Sequence, residues 1–200
     1  MKLTEIKREN ILEAAAEEFR FHGFEGARIS RIAELAEVST RTLYKHFPNK
    51  EAMFDAIVEI VIEETGAIPS VAYDPVQPLR DQLVAALEVY LNAIMDDRYI
   101  GLNRMVMTEY LRDRDLAKRI FANAEMSNNP LRELLAGAIK AKAIQKVDPD
   151  YATTLLTSGA KAFFFWPKFI LGDDPTDETS DILGDCVDMF LAVYSNRTDN

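Results

Sequence analysis

Residues 39–50 read STRTLYKHFPNK, a stretch with three basic residues and no acidic one in a chain whose net charge is -10. Ser39 is a suitable N-cap for a short helix, and Pro48 ends that helix because proline cannot continue the backbone hydrogen-bond ladder. Leu43 and Phe47 are four residues apart and therefore share one helix face. The stretch predicts a short helix with an apolar inner face and a basic outer face.

The segment before it, RISRIAELAEV over residues 28–38, predicts a second short helix. Its apolar residues recur at helical spacing and are Ile29, Ile32, Ala33 and Ala36. A tight connection at Glu37 and Val38 joins the two helices. The second helix holds its basic and hydroxyl residues on the outward face. Two short helices joined by such a turn therefore predict a helix-turn-helix that enters the DNA major groove.

The candidate DNA contacts are basic, hydroxyl or aromatic side chains of this motif: Arg28, Ser30, Ser39, Thr40, Arg41, Thr42, Tyr44, Lys45, His46 and Lys50. Arg41 can donate paired hydrogen bonds to guanine, and the short hydroxyls can reach bases or phosphates. The candidates from Tyr44 onward are better placed for backbone phosphates. The alternative is a solvated basic face on an ordinary helical bundle, but the absence of acids and the paired apolar stripes favour DNA.

The longer stretch ISRIAELAEVSTRTLYKHFPNKEAMFDAIV, residues 29–58, resembles the DNA-binding segment of TetR-type bacterial transcriptional regulators. The resemblance implies that Tyr44 and Lys50 contact phosphates and that residues 40–42 read bases. Two positions depart from the family pattern. Members commonly place glycine in the turn where this chain has Glu37, and serine or threonine at the cap where it has Arg28.

Helix one is predicted to end at Gly23, and helix four is predicted to leave the small bundle as a long connector. Residues 66–78, GAIPSVAYDPVQP, then break the pattern, and six further helical segments follow them. The predicted segments cover residues 79–95, 101–113, 116–125, 129–144, 148–171 and 179–195. No alternating strand pattern occurs. The predicted fold is all-α, with a three-helix DNA-binding domain over residues 1–50, a connector helix over 50–65 and a larger C-terminal helical domain over 66–200.

The resemblance implies that the C-terminal domain binds a ligand and dimerises. The two long late helices have broad apolar faces, which can be buried within the monomer or against a second copy. One helix-turn-helix reads only a short half-site, whereas a dimer presents two recognition helices about one DNA turn apart, ~34–36 Å. We therefore expect a homodimer on a palindromic or near-palindromic double-stranded operator, acting as a repressor that a small-molecule effector releases.

An effector pocket requires apolar and aromatic residues of the C-terminal part. The candidates are Tyr90, Met105, Tyr110, Phe121, Phe163 and Trp166. Core packing explains the same residues, and spacing alone favours the core for each of them. The resemblance raises the expectation of a pocket without identifying the molecule.

Charge and composition narrow the function further. Residues 1–50 carry a net charge of +1 and the remainder carries -11, so only the N-terminal part tolerates a polyanion. Two histidines and a single cysteine offer no metal-ligand spacing, and no glycine loop cradles a phosphate, so we expect no enzyme, cofactor or metal. No signal peptide or membrane span is expected, and a cytoplasmic location fits the single cysteine.

Two alternatives remain from the residues alone. One is an all-helical module that binds a protein partner, and the other is a small-molecule carrier without sequence-specific DNA binding. Salt dependence separates the first from a DNA reader, because DNA affinity falls with a log-log slope of about -0.9 per neutralised phosphate.

Overall fold

The computed structural model describes residues 3–66, 68–112, 114–115, 117–118, 129–172, 174 and 179–196. These residues define ten α-helices, and the only extended pairing among them is an isolated bridge between Ile144 and Ser195. The helices are α1 Leu3–Gly26, α2 Ile29–Leu35, α3 Thr40–His46, α4 Lys50–Gly66, α5 Leu79–Ile94, α6 Asp97–Tyr110, α7 Pro130–Lys140, α8 Pro149–Phe163, α9 Phe165–Leu171 and α10 Thr179–Tyr194. The fold is all-α, as the sequence predicts.

One compact unit combines Met1–Glu64 with Asp97–Ser127. Within it, α1 packs against α2 and α6, and α2 packs against α3. The apolar stripes of the predicted helices supply its core, whose buried members include Ile11, Ala15, Phe19, Ile32, Ala33, Leu43, Phe47, Met53, Phe54, Ile57, Met105 and Val106. Since two of these residues belong to α6, the core of this unit extends beyond the helix-turn-helix and its connector.

The break in α1 falls at Gly23, as its position after the apolar stripe predicts. Gly23 has φ 69° and ψ 168°, outside the helical region, and the chain resumes helical hydrogen bonding for one further turn to Gly26. This combination of angles is open essentially to glycine alone. The Phe24 ring then lies 5.5 Å from Phe19 and 5.3 Å from Phe54, between centroids. The break therefore turns an aromatic residue back onto the core.

The second unit combines Thr65–Asp96 with Asn128–Asn200. Here α5 packs against α7, α8 and α10, while α8 also contacts α7, α9 and α10. The largest fully buried side chains of this unit are Leu83, Leu87, Leu131, Leu134, Leu135 and Ile144. The predicted functional boundary at residue 66 stays a prediction. The compact units do not follow it, because residues 97–127 belong to the same unit as the N-terminal residues.

Three predicted helical segments differ from the structure. The segment over 148–171 is two helices that meet at Phe164, whose φ of -113° lies away from the usual helical value while its ψ is -57°, and Pro167 lies near the start of α9. The segment over 129–144 ends as a helix at Lys140. The segment over 101–113 begins earlier, at Asp97, and ends at Tyr110. The predicted helix over 116–125 lies almost wholly outside the described residues.

A loop between α4 and α5 is tied to the second unit by Gln82, which is buried. The side-chain amide of Gln82 accepts from the Asp74 N–H at 2.8 Å and donates to the carbonyls of Asp74 and Gln77 at 2.8 and 2.9 Å. The same loop lies so close to α7 that a Cβ on Gly137 would fall 2.7 Å from the Cβ of Tyr73. Gly137 is therefore required for this close approach.

We expect Gly137→Ala to destabilise the protein by about 1–3 kcal/mol, because the added methyl group displaces backbone and not merely a side-chain tip. An alanine normally stabilises a helix interior by about 0.5–1 kcal/mol relative to glycine. Gly101→Ala on α6 is the matched control, because its Cβ meets no described atom within 4 Å. Urea unfolding should move the two variants in opposite directions, and a stable Gly137→Ala would contradict the packing argument.

Candidate nucleic-acid interface

The third helix, α3, begins where the sequence predicts. The Ser39 Oγ accepts a hydrogen bond from the Thr42 N–H at 3.1 Å and lies 2.9 Å from the Thr42 hydroxyl. At the other end, Phe47 leaves the helix with an extended backbone, and the Asn49 side chain accepts from the Ala52 N–H at 2.8 Å to open α4. Local side-chain caps thus fix the start of α3 and the start of the helix that follows it.

The two faces of α3 differ sharply. Leu43 is fully buried, and Phe47, just beyond the helix, is 4% exposed. Thr40, Arg41, Tyr44 and Lys45 are exposed, and Tyr44 retains 52% of its surface. Among the described residues no hydrogen bond or ion pair involves the Arg41 or Lys45 side chain. The outer face of α3 therefore presents two cations, a hydroxyl and a phenol, all available to another molecule.

The turn between α2 and α3 contains the positive φ that the family pattern assigns to glycine. Glu37 has φ 52°. Its N–H donates to the Glu34 carbonyl at 3.1 Å, and the Val38 N–H donates to the Ala33 carbonyl at 2.9 Å. These bonds define a Schellman motif, in which the residue at the Glu37 position adopts the left-handed conformation. A non-glycine residue there costs of order 1–3 kcal/mol.

Glu37→Gly should stabilise the protein by about 0.5–1 kcal/mol. Glycine removes most of the energetic penalty of the left-handed conformation, and part of that gain is offset because glycine gives the unfolded chain more conformational entropy. Glu37→Gln keeps the backbone penalty and removes only the charge, so it is the matched variant. We expect both variants to bind duplex DNA a few times more tightly at low salt, and only the glycine variant to unfold at higher urea concentration. Equal urea midpoints for the two variants would show that the turn is not strained.

The start of α2 lacks a local cap, as the replacement by Arg28 implies. Arg28 is the N-cap with φ -116° and ψ 126°, and its side chain makes no capping bond. Instead, the Glu18 carboxylate of α1 accepts from the Arg28 N–H at 3.1 Å. Glu18 is 3% exposed, and its second oxygen lies 3.7 Å from the His22 Nε2. A buried acid of another helix thus replaces the serine or threonine cap.

Lys50 at the start of α4 is half-buried and partly committed to the protein. Its Nζ donates to the Glu25 carbonyl at 3.2 Å and lies 3.5 Å from the Ala27 carbonyl. The same ammonium is 4.7 Å from the centroid of the Phe24 ring. An ammonium has three donors, so at most one N–H of Lys50 remains for an external acceptor.

The structure brings the predicted DNA contacts together around α2 and α3, but they do not form one uniform face. Ser39 and Thr42 bond to each other, and Lys50 bonds to main-chain carbonyls. Arg28 and Ser30 are exposed and line a separate cleft of about 440 Å³ with Glu34. The remaining predicted contacts, which lie on α3 itself, are Thr40, Arg41, Tyr44, Lys45 and the partly exposed His46.

The predicted effector residues are dispersed. Tyr90 is buried in the second unit, where burial raises the pKa of its hydroxyl well above the usual range. Met105 and Tyr110 pack in the core of the N-terminal unit. Phe163 and Trp166 are 57% and 39% exposed. Phe121 lies outside the described residues.

An open groove of about 730 Å³ lies in the N-terminal unit between α1, α4 and α6. Its floor includes Leu12, Ile57 and Leu102, and charged residues of α1 and α6 form its walls. None of the five described residues of the predicted effector set lines this groove.

The described part of the chain offers no arrangement that favours nucleophilic catalysis, metal binding or a membrane span. Cys186 is 6% exposed. Burial is the main cause that raises the pKa of its thiol, and the negative charge of the nearby Asp185 raises it further. A protonated, buried thiol is a poor nucleophile. The described residues contain no cluster of three or more histidine, cysteine or acidic side chains arranged for a metal ion. No helix among them has the length and apolar character needed to cross a bilayer.

Comparison with known proteins agrees with this geometry. Residues 11–57 match the model of bacterial regulatory proteins of the tetR family, and residues 81–196 match the C-terminal domain of AefR-like transcriptional repressors. The second match alone spans more than half of the 200 residues. The chain belongs to the TetR family. It is a DNA-binding transcriptional regulator of repressor type and not an enzyme.

Individual relatives cover most of the chain. The transcriptional regulator RutR of Escherichia coli K12 is 25% identical in a 175-residue alignment that covers 78% of this chain and 73% of RutR. A TetR family regulator from Pseudomonas syringae is 30% identical with a TM-score of 0.79, covering 94% of this chain and 96% of its own. The flavonoid-responsive regulator FrrA is 25% identical with a TM-score of 0.71, covering 96% and 98%.

Two acidic residues that accept main-chain hydrogen bonds next to this motif are absent from the sequence prediction. Glu18 is one, and its helical phase does hold a signal, because it falls three and seven residues after Ala15 and Ile11 of the buried stripe. Glu109 is the other, since its carboxylate accepts from the Phe24 N–H at 3.1 Å. No local pattern marks Glu109, which is 85 residues away along the chain.

Proposed function

We propose that this regulator reads a two-fold-symmetric operator with α3 in the major groove of each half-site. The observation that carries the proposal is the outer face of α3, where Arg41, Tyr44 and Lys45 are exposed above the buried Leu43. No acid occurs in residues 39–50 to repel phosphates. A helix of this kind presents few side chains to base edges, so each one carries much of the specificity.

The roles divide by chemistry. Arg41 is the proposed base reader, because a guanidinium matches the two acceptors of guanine. Tyr44 and Lys45 contact phosphates, together with the remaining donor of Lys50. Ser39 and Thr42 contribute mainly by fixing the start of α3, because their hydroxyls already pair. Arg28, Ser30, Thr40 and His46 are proposed as contacts at the edge of the motif.

The proposed active form is a homodimer in the cytoplasm. Two apolar residues of α8 and two of α10 are exposed at four-residue spacing, which places each pair on one side of its helix. They are Tyr151, Leu155, Met189 and Val193, exposed by 57%, 45%, 63% and 63%. The two helices pack side by side, and they approach so closely that a Cβ added at Gly159 would lie 3.5 Å from the Cys186 sulfur. A second copy that covers this pair would form a four-helix interface.

We propose that a small-molecule effector bound by the C-terminal domain releases the operator. The acidity of residues 51–200 disfavours large anions and favours neutral or cationic compounds. FrrA is flavonoid-responsive, which supports testing neutral aromatic compounds first. Tyr90, Phe163 and Trp166 remain proposed effector contacts of the second unit, with Phe121, Met105 and Tyr110 as the further candidates.

Selection of bound sequences from a random duplex library by the purified protein tests this function. A recovered two-fold-symmetric site with half-sites about one helical turn apart is the expected result. Affinity for that site should fall with salt, with a log-log slope of about -0.9 per neutralised phosphate. A folded protein that enriches no sequence, with or without candidate aromatic effectors, would overturn operator reading by α3.

A further inference from the structure

The connection between α1 and α2 is held by side chains from three different helices. Beyond the break at Gly23, the Phe24 N–H donates to Glu109 of α6 at 3.1 Å. Lys50 of α4 donates to the Glu25 carbonyl at 3.2 Å. Glu18 of α1 accepts from the Arg28 N–H at 3.1 Å. Each of these contacts is between a charged side chain and a main-chain group, and such bonds are stronger than neutral ones.

The Glu109 bond has a specific cause in the backbone. A ψ of 168° at Gly23 rotates the next peptide out of the helical orientation, so the Phe24 N–H no longer points along the axis of α1. A half-buried N–H in that position needs another acceptor. The Glu109 side chain supplies one, and only 12% of its surface is exposed. Its attachment to the unit is firm, because Met105 and Val106 of the same helix are core residues.

The position of α3 depends on this connection. Phe24 packs between the rings of Phe19 and Phe54, and the N-cap of α2, Arg28, follows four residues later. Since α2 packs against α3, the placement of residues 24–28 determines where α3 lies. We propose that Glu109 is a positioning residue for DNA binding: its carboxylate holds the Gly23 break, and through it α2 and α3, in the orientation that reads DNA. The proposal rests on the proposed reading of DNA by α3 for its functional consequence.

Three variants isolate this bond. Glu109→Leu removes the acceptor and puts an apolar side chain of similar size in its place. Glu109→Gln keeps an oxygen that can accept from Phe24 and removes the charge. Arg112→Ala is the control for the exposed Arg112–Glu109 ion pair, whose nitrogen and oxygen are 3.8 Å apart.

Amide hydrogen exchange on the free protein and operator affinity are measured for each variant. Glu109→Leu should speed exchange at Phe24 and in residues 24–46 and weaken operator binding by about tenfold, the size expected for a lost charge-assisted bond. The salt slope should not change, because no phosphate contact is lost. Glu109→Gln should restore most of the exchange protection and affinity, and Arg112→Ala should resemble the wild type.

Two contrary results would overturn the positioning role. One is wild-type exchange at residues 24–46 in Glu109→Leu, and the other is an equal loss of affinity in Arg112→Ala. Exchange does not require DNA, so it tests the positioning of α3 even if the wild-type protein selects no operator. In that case the proposed function fails while the Glu109 bond is still judged on its own.

Discussion

Glutamate at both Leu155 and Val193 is expected to convert the protein from dimer to monomer and to weaken operator binding by about a hundredfold or more. These residues are 45% and 63% exposed on neighbouring helices, so the free subunit tolerates a charge at either position. In a two-fold interface each substitution occurs twice, and an unpaired carboxylate buried there costs several kcal/mol. Separate subunits lose the effective concentration that joins two half-sites.

Analytical ultracentrifugation at micromolar concentration measures the first effect, and operator titration measures the second. Val76→Glu is the control for a surface carboxylate, because Val76 is 89% exposed in the loop before α5 of the same unit, and it adds one of the two charges that the double variant adds. A dimeric Leu155→Glu/Val193→Glu variant would show that another face joins the subunits. A monomer with undiminished operator affinity would refute simultaneous reading of two half-sites.

The parts of the site that the sequence predicts depend on neighbours in the chain. Ser39 caps α3 and Leu43 is buried because capping and helical periodicity act over three or four residues. The positive φ of Glu37 also follows a local rule, since the tight turn requires a left-handed residue whichever side chain occupies it.

The parts that escape prediction depend on distant partners. A glutamate on a helix surface has the same local pattern whether it faces water or accepts a main-chain N–H, and only the packing of α6 on α1 distinguishes Glu109. The effector residues fail to converge for a related reason. Phe164 continues the inner face of α8 four residues after the buried Ala160, whereas the adjacent Phe163 is 57% exposed, so aromatic composition alone does not tell which of these rings faces solvent.

Alanine at Arg41 is expected to relax base preference at one position of each half-site by about 1–3 kcal/mol, which is about five- to 150-fold in relative affinity. The guanidinium is exposed and has no hydrogen-bond or ion-pair partner among the described residues, so its removal should leave α3 folded. In a symmetric operator the loss occurs twice. Competition between the selected operator and its single-base variants measures the preference position by position.

Lys45→Ala distinguishes base recognition from phosphate binding, because it removes a cation from the same exposed face, one helical turn from Arg41. If Lys45 contacts a phosphate, every sequence should bind more weakly, and the dimer should release about two fewer counterions, which reduces the log-log salt slope by about 1.8. Lys140→Ala, on an exposed position of the second unit, should change neither quantity. Arg41→Ala could instead keep the wild-type preference at every base pair and show only a flatter salt slope. That result would make Arg41 a second phosphate contact and leave base recognition to the hydroxyl residues of α3.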